Sequence, residues 1–282
     1  MASTRGKKGR KLVRKSLRLL ENHKRLFIFP ILGYLCKFLI YVAVVTPFIH
    51  SREQLEAVNR LPGSQVVLLI VVFMLMLFVI NVLLFFFNTA IIANLIHFIR
   101  FKREASIRFG FQQAFGNFFR VYMWAWYSGT VGMIFNLLPR NSQYKLKLQK
   151  LLRKNHWKLA SYFSLALVMD QKVGPHAALK RSGELMNELW GENLRPNFNY
   201  LGLFACLELP CFIGFILACI YGGHATIIGV GITAGFFILL SSSFYQMIST
   251  TLRTVSYCYA QYKVTPDIFD AEIIKRFFVK RL

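Results

Sequence analysis

The chain has 282 residues, 55% of them hydrophobic and only 17% charged, with 28 phenylalanines. A soluble domain carries roughly 25% charged residues and no long uncharged blocks; here the apolar residues fall in such blocks, which argues against a soluble fold and for an all-α integral membrane protein. The 35 Lys and Arg outnumber 12 Asp and Glu, for a net charge of +23, but they cluster beside the apolar runs. That is the pattern of the positive-inside rule and of anionic headgroups, and no nucleic-acid partner is expected.

Residues 1–25 form a basic arm with ten Lys and Arg and one Glu. No small-residue cleavage site follows the first apolar run, so an uncleaved signal anchor with a cytoplasmic arm is expected. Within the arm, LVRKSLRLL has helical apolar spacing and predicts a helix lying along the membrane surface. The first apolar segment is 26–49, with Pro30 in its first turn and Lys37 interrupting it. The loop 51–65 has two Arg and two Glu and reads as external. The second segment, 66–99, has 34 residues and no Lys, Arg, Asp or Glu. At 1.5 Å per residue it measures roughly 50 Å against a hydrocarbon core of about 30 Å, so it must tilt, kink or project. Asn81 and Asn88, seven apart, share a face.

Residues 100–120 carry five basic residues and one acid, a cytoplasmic count, and Phe109, Phe111 and Phe115 predict an interfacial helix. The third apolar stretch, 121–138, opens with Tyr122, Trp124, Trp126 and Tyr127, like a headgroup-level aromatic belt. Residues 139–158 then hold seven basic residues and no acid, and the fourth stretch, LASYFSLALVM, is only 11 residues. Either both stretches cross, giving six crossings with the most basic loop outside, or both dip and return as re-entrant pieces buried in protein. Asp170, which closes the fourth stretch, is expected at the interface, and His97 at the headgroup level. Gly174-Pro175 opens a helix, with Gly191 as its stop. The fifth segment, 199–221, contains Glu208 and Pro210 and predicts a broken helix. The sixth, 225 to about 262, holds a Gly231-xxx-Gly235 spacing that permits close helix approach, and Arg253. The tail 263–282 has five basic and three acidic residues.

The expected architecture is four membrane-spanning helices, two shorter apolar segments that re-enter or cross, and amphipathic interfacial helices. A single helical membrane domain, 26–262, lies between the arm 1–25 and the tail 263–282. Both termini are cytoplasmic, and a bacterial inner membrane is the expected home.

In AALKRSGELMNELWGENL, Glu184, Glu188 and Glu192 recur with Lys180, but no His follows any of them by three positions, as helical metal-carboxylate sites use. The matching apolar face makes this an amphipathic helix. The five cysteines form no CxxC pair, and no nucleophile–base set, phosphate loop or dinucleotide fingerprint is present. No catalytic residue, metal or cofactor is therefore expected. The ionisable residues inside apolar segments are the candidates: Glu208 pairing with Lys37 or Arg253 near a polar interior shared with Asn81 and Asn88.

HWKLASYFSLALVMDQKVGPHAALKRSGELMNELWGENLRPNFNYLGL, residues 156–203, also carries a resemblance. Its A-L-K-R-S core, the W-G-E eight residues on and the following N-F resemble a family of uncharacterised prokaryotic polytopic membrane proteins, as do SLRLLENHKRLFIFPILGY and FFFNTAIIANL. The likeness covers about 16–260. It departs in the fourth stretch, where family members often carry Pro, and Glu where this chain has Ala166 and Asp170. The resemblance implies a helical membrane fold and no particular activity. Two functions fit: a small permease or channel-like protein for an ion or small solute, or a structural or regulatory membrane protein that recruits partners, further copies of itself or anionic lipid through its basic cytoplasmic face.

Overall fold

The computed structural model describes residues 13–49, 62–137, 157–190, 194–196, 201–221, 223–269, 274 and 278–280. Half of the basic arm's Lys and Arg, most of the loop 51–65, nearly all of the basic segment 139–158, and Gly191 lie outside the described residues, as do the side chains of Cys206, Cys219 and His224.

Helix α1 covers 13–21. It buries Ser16, Leu19 and Leu20 in the protein core, so this part of the arm packs on the chain itself. A 3-10 turn, Lys24–Phe27, leads into α2, Ile28–Ile49. Helix α3, Gly63–Phe101, is continuous over 39 residues, then α4 covers Ile107–Gly116 and α5 Phe118–Leu137. The fourth apolar stretch gives two short pieces, α6 (Trp157–Ala160) and α7 (Ser164–Asp170), followed by α8, Pro175–Trp190, which begins on its proline. Helix α9 runs Leu201–Tyr221 and α10, again 39 residues, His224–Tyr262. The fold is all-helical apart from one antiparallel pair, β1 (Leu194–Pro196) and β2 (Phe278–Lys280), with Arg195 opposite Val279.

Among the described residues, three stretches are apolar and long enough to cross a membrane, Lys24–Ala43, Gly63–Phe101 and Gly229–Tyr262, and in α9 the corresponding apolar stretch is the shorter Glu208–Ala218. The expected break at Pro210 is not there, because α9 passes through the proline without interruption. Losing one amide donor costs a helix a single backbone bond, and neighbouring turns hold the rest.

The two 39-residue helices are each split into two environments. In the first half of α3, Val67, Leu68, Ile70, Val71 and Leu75 are more than half exposed, whereas Phe86 to Ile96 are almost wholly buried. Helix α10 repeats this: Ile232, Phe236 and Phe237 face outward, and Met247 to Ala260 are buried apart from Arg253. Outward apolar side chains are at home in lipid, while the buried halves are wrapped by α1, α4, α5, α7 and α8 into one core. Helix α7 is inside that core: Ser164, Ala166, Leu167, Val168 and Met169 are buried against α3, α5 and α8.

Local chemistry fixes these helices. Asn94, 1% exposed, accepts the Ser106 N–H (2.8 Å) and donates to Ala90 O (2.9 Å), tying the turn after α3 back onto it. Of the three phenylalanines expected at the interface, only Phe115 is exposed. Phe111 packs edge-on against Phe29 and Phe87, and Phe109 stacks on His97 with centroids 4.5 Å apart. Helices α3 and α10 both end on a left-handed lysine, Lys102 (φ 53°) and Lys263 (φ 58°), whose N–H groups close on Phe98 O and Tyr259 O. Gly231 and Gly235 do not bring two backbones together. They accommodate phenylalanine rings, Phe215 of α9 and Phe38 of α2, at 3.1 and 3.2 Å from where a Cβ would stand.

Candidate functional site

Helix α10 carries a polar stripe through an apolar sequence, and four of its five steps each reach a different helix. Ser242 Oγ donates to Glu208 Oε1 of α9 (3.1 Å). Gln246 Oε1 accepts from the Tyr34 hydroxyl of α2 (3.2 Å). Thr250 Oγ1 donates to Asn88 Oδ1 of α3 (2.9 Å). Thr254 turns back to Thr250 O (2.8 Å), and the Tyr257 hydroxyl donates to Asp170 Oδ2 of α7 (2.7 Å). Residues four apart advance 400° around a helix, so the stripe winds slowly and meets each neighbour in turn.

The candidates read from the sequence divide into two groups. Glu208 is half-buried, and its charge reaches both Tyr34 and Lys37. No ion pair joins Glu208 to Lys37; the Lys37 ammonium lies over the Tyr34 and Tyr41 rings, 5.5 and 5.7 Å from their centroids. Arg253 is not with them. Three turns of α10 separate it from Ser242, it is exposed, and its guanidinium lies 5.4 Å from the Tyr162 centroid. The direct pair expected of Glu208 with either cation is thus not formed. Asn88 joins the stripe through Thr250, whereas Asn81 faces away from it, into a cleft of about 660 Å³ that it shares with Lys37, Tyr41, Trp126 and Thr130.

A second polar cluster joins the far ends of α3 and α10. Asp170 accepts from the Tyr257 and Tyr262 hydroxyls, and Arg100 Nη1 stands 3.5 Å from Oδ1. The Arg100 guanidinium also lies 4.0 Å from the Tyr262 centroid. A buried carboxylate is costly unless paired and hydrogen-bonded, and this one is both, so the cluster reads as a structural knot. The glutamates of α8 are likewise accounted for: Arg181 reaches Glu184 (3.4 Å) and Glu188 (3.5 Å). Ser182 of the A-L-K-R-S core points inward and accepts the Phe163 N–H at 3.0 Å, so this motif serine holds the turn that enters α7. Among the described residues, no three His, Cys, Asp or Glu side chains converge as metal ligands.

Sequence reasoning missed Ser242, Gln246, Thr250 and Tyr257. Their signal was available as polar residues at helical spacing inside SSSFYQMISTTLRTVSYCY, a run that stands out for its hydroxyls.

Among the described residues, three helices long and apolar enough to cross a membrane, with exposed apolar halves, a buried core and a polar stripe of interhelical hydrogen bonds, define a helical membrane protein. The chain belongs to the Family of unknown function (DUF6159), whose model matches residues 66–267. The match takes in α3 to α10 and leaves Tyr34, Lys37 and Tyr41 of α2 outside it. No curated protein and no solved structure matches the chain.

Proposed function

We propose that this is a non-enzymatic, four-crossing protein of the bacterial cytoplasmic membrane, with both termini inside. Its role is structural or regulatory, engaging anionic lipid and protein partners through a basic cytoplasmic side. Helices α2, α3, α9 and α10 cross; α6–α7 pack on the inner halves of α3 and α10 and re-enter only shallowly, while α5 runs back along α3 past Phe78 toward its outer half without crossing.

The observation that carries this reading is the depth of the polar residues. Eighteen residues separate Asn81 from the outer end of α3 at Gly63, and eighteen separate Ser242 from the outer end of α10 at His224. At 1.5 Å per residue both lie roughly 27 Å in, close to one hydrocarbon thickness. Counted on their own helices, Lys37 is twelve residues from Ile49 and Glu208 thirteen from Tyr221, roughly 18–20 Å in, so with their partners they form a layer in the inner half of the membrane. Charges cost far less there, and lysines reach water by snorkelling. The inner halves of α3 and α10 project into a protein core, which resolves their excess length.

The test is lipid retention. Full-length protein purified in mild detergent is expected to keep anionic lipid enriched over the bulk membrane, with the enrichment falling in high salt as surface electrostatics are screened. Retained lipid of bulk composition at every salt concentration would refute the reading.

A second reading, a small permease, is favoured by one observation: Glu208, two residues before Pro210, is bonded across to Ser242 and lies within charge reach of Lys37. Reconstituted protein should then pass an ion or small solute, and Glu208→Gln should abolish that flux without changing the melting temperature. Absence of flux for any tested solute removes this reading.

A further inference from the structure

The cleft of about 660 Å³ between α2, α3 and α5 has the size of a ligand site, and its lining is divided by chemistry. Val71, Met74, Leu75 and Phe78 make an apolar wall along the outer half of α3. Lys37, Tyr41, Asn81 and Trp126 bring an ammonium, a hydroxyl, an amide and an indole N–H to the same cleft. None of these four side chains makes a hydrogen bond or ion pair among the described residues, although Lys37 touches two aromatic rings and Trp126 packs on Phe78. Thr130, the other hydroxyl there, is already spent on Trp126 O (2.9 Å).

Four donors, one of them cationic, face an apolar-walled cleft with no carboxylate among its lining residues. Water alone satisfies such groups poorly beside a hydrocarbon wall, and a phosphate satisfies them well, because ammonium and amide hydrogen bonds to an anion are about twice as strong as neutral ones. The apolar wall extends from Asn81 toward the outer end of α3, the direction in which an acyl chain leaves a headgroup on the inner leaflet.

We infer that this groove holds one anionic phospholipid, its phosphate taken by Lys37 and Asn81 and an acyl chain lying along Val71, Met74, Leu75 and Phe78. This deepens the lipid reading above and rests on its topology. The surface interaction proposed there is diffuse and screened by salt, whereas the groove site is single and partly dehydrated, so salt acts on it much less.

Trp126 supplies the probe. The full chain in detergent micelles is titrated with phosphatidylglycerol brominated on its acyl chains, and separately with brominated phosphatidylcholine. Phosphatidylglycerol is expected to quench Trp126 fluorescence saturably at one lipid per chain, and the saturable component should vanish in Trp126→Phe. Lys37→Gln should weaken it by about tenfold or more, as loss of a charge-assisted bond requires. Lys37→Arg should restore it, showing that charge and not folding is at issue. Free glycerophosphate should not compete, since it lacks the chain. Equal quenching by both lipids, or unchanged affinity in Lys37→Gln, would overturn the groove site and leave only annular lipid. The two lipid claims fail separately. Anionic retention that is lost in salt but indifferent to Lys37 keeps the surface reading alone, and a salt-resistant, Lys37-dependent single site without bulk anionic enrichment keeps the groove alone.

Discussion

Replacing Gly110 with alanine sets two opposing effects against each other. Within a helix, Gly→Ala is ordinarily worth about 0.5–1 kcal/mol of added stability. At Gly110 of α4, however, the new Cβ would stand 2.4 Å from Asn94 Nδ2, 2.5 Å from Phe29 Cζ and 3.2 Å from Ala90 O. Neither side chain can swing away freely, since Phe29 is 0% and Asn94 1% exposed. Overpacking of this kind costs about 1–3 kcal/mol. Displacing Asn94 also strips the part-buried Ser106 N–H of its 2.8 Å acceptor, which costs about 0.5–1.5 kcal/mol more. The balance is a destabilisation of about 0.5–4 kcal/mol. Gly183 of α8 provides the control: nothing lies within 4 Å of its added Cβ, so Gly183→Ala should stabilise by about 0.5–1 kcal/mol. Thermal unfolding in detergent, followed by tryptophan fluorescence, reads both. A Gly110→Ala protein melting at or above wild type would show that α4 does not sit on Asn94 and Phe29 as described.

Ser182→Ala removes the acceptor of the buried Phe163 N–H and should lower stability by about 1–3 kcal/mol in the same assay, while Ser182→Thr, which keeps the hydroxyl, should cost less; equal losses would point to packing alone. Tyr257→Phe takes one of two phenolic donors from Asp170 and should cost about 1.5–3 kcal/mol, an effect that shrinks in an Asp170→Asn background if the bond is the cause. His23, in a polar cleft with Glu21, Lys24, Arg25 and Glu104 and edge-on to Phe98 at 4.2 Å, has its pKa lowered by burial, with Glu104 pulling the other way. Its folded value lies below the ordinary 6.5, so its contribution is in place above pH 6.5 and is lost as pH falls through the folded value. The melting-temperature difference between wild type and His23→Gln should therefore diminish on acidification, and a difference that stays flat from neutral to mildly acidic pH would contradict this.

Much of the helix plan was legible. The two overlong apolar segments are each one helix, Pro175 opens α8, and the fifth segment is helical over Leu201–Tyr221, because hydrophobic blocks and turn chemistry act locally. Partnerships were not legible. What meets Glu208 depends on how α2, α9 and α10 cross, and its hydrogen-bond donor is a serine, a residue too ordinary to flag. Phe109 and Phe111 looked like membrane anchors by composition, yet the buried half of α3 claims them. Pro210 looked like a break because sequence records the lost donor and not the surrounding turns that hold the helix.

The stripe on α10 has a consequence for how the protein is made. Tyr34, Asn88, Asp170 and Glu208 lie on four different helices, and all four find their partner on α10, which follows every one of them in the chain. At about 5–20 residues per second, the ribosome delivers the early helices seconds before the segment that satisfies them. Until α10 inserts, these groups must lean on water or headgroups, and the half-built bundle exposes its polar seams to the membrane's quality control. A chain cut short before Ser242 would therefore be expected to be cleared rather than merely weakened, whereas a cut after Tyr262 would leave every one of these closures intact.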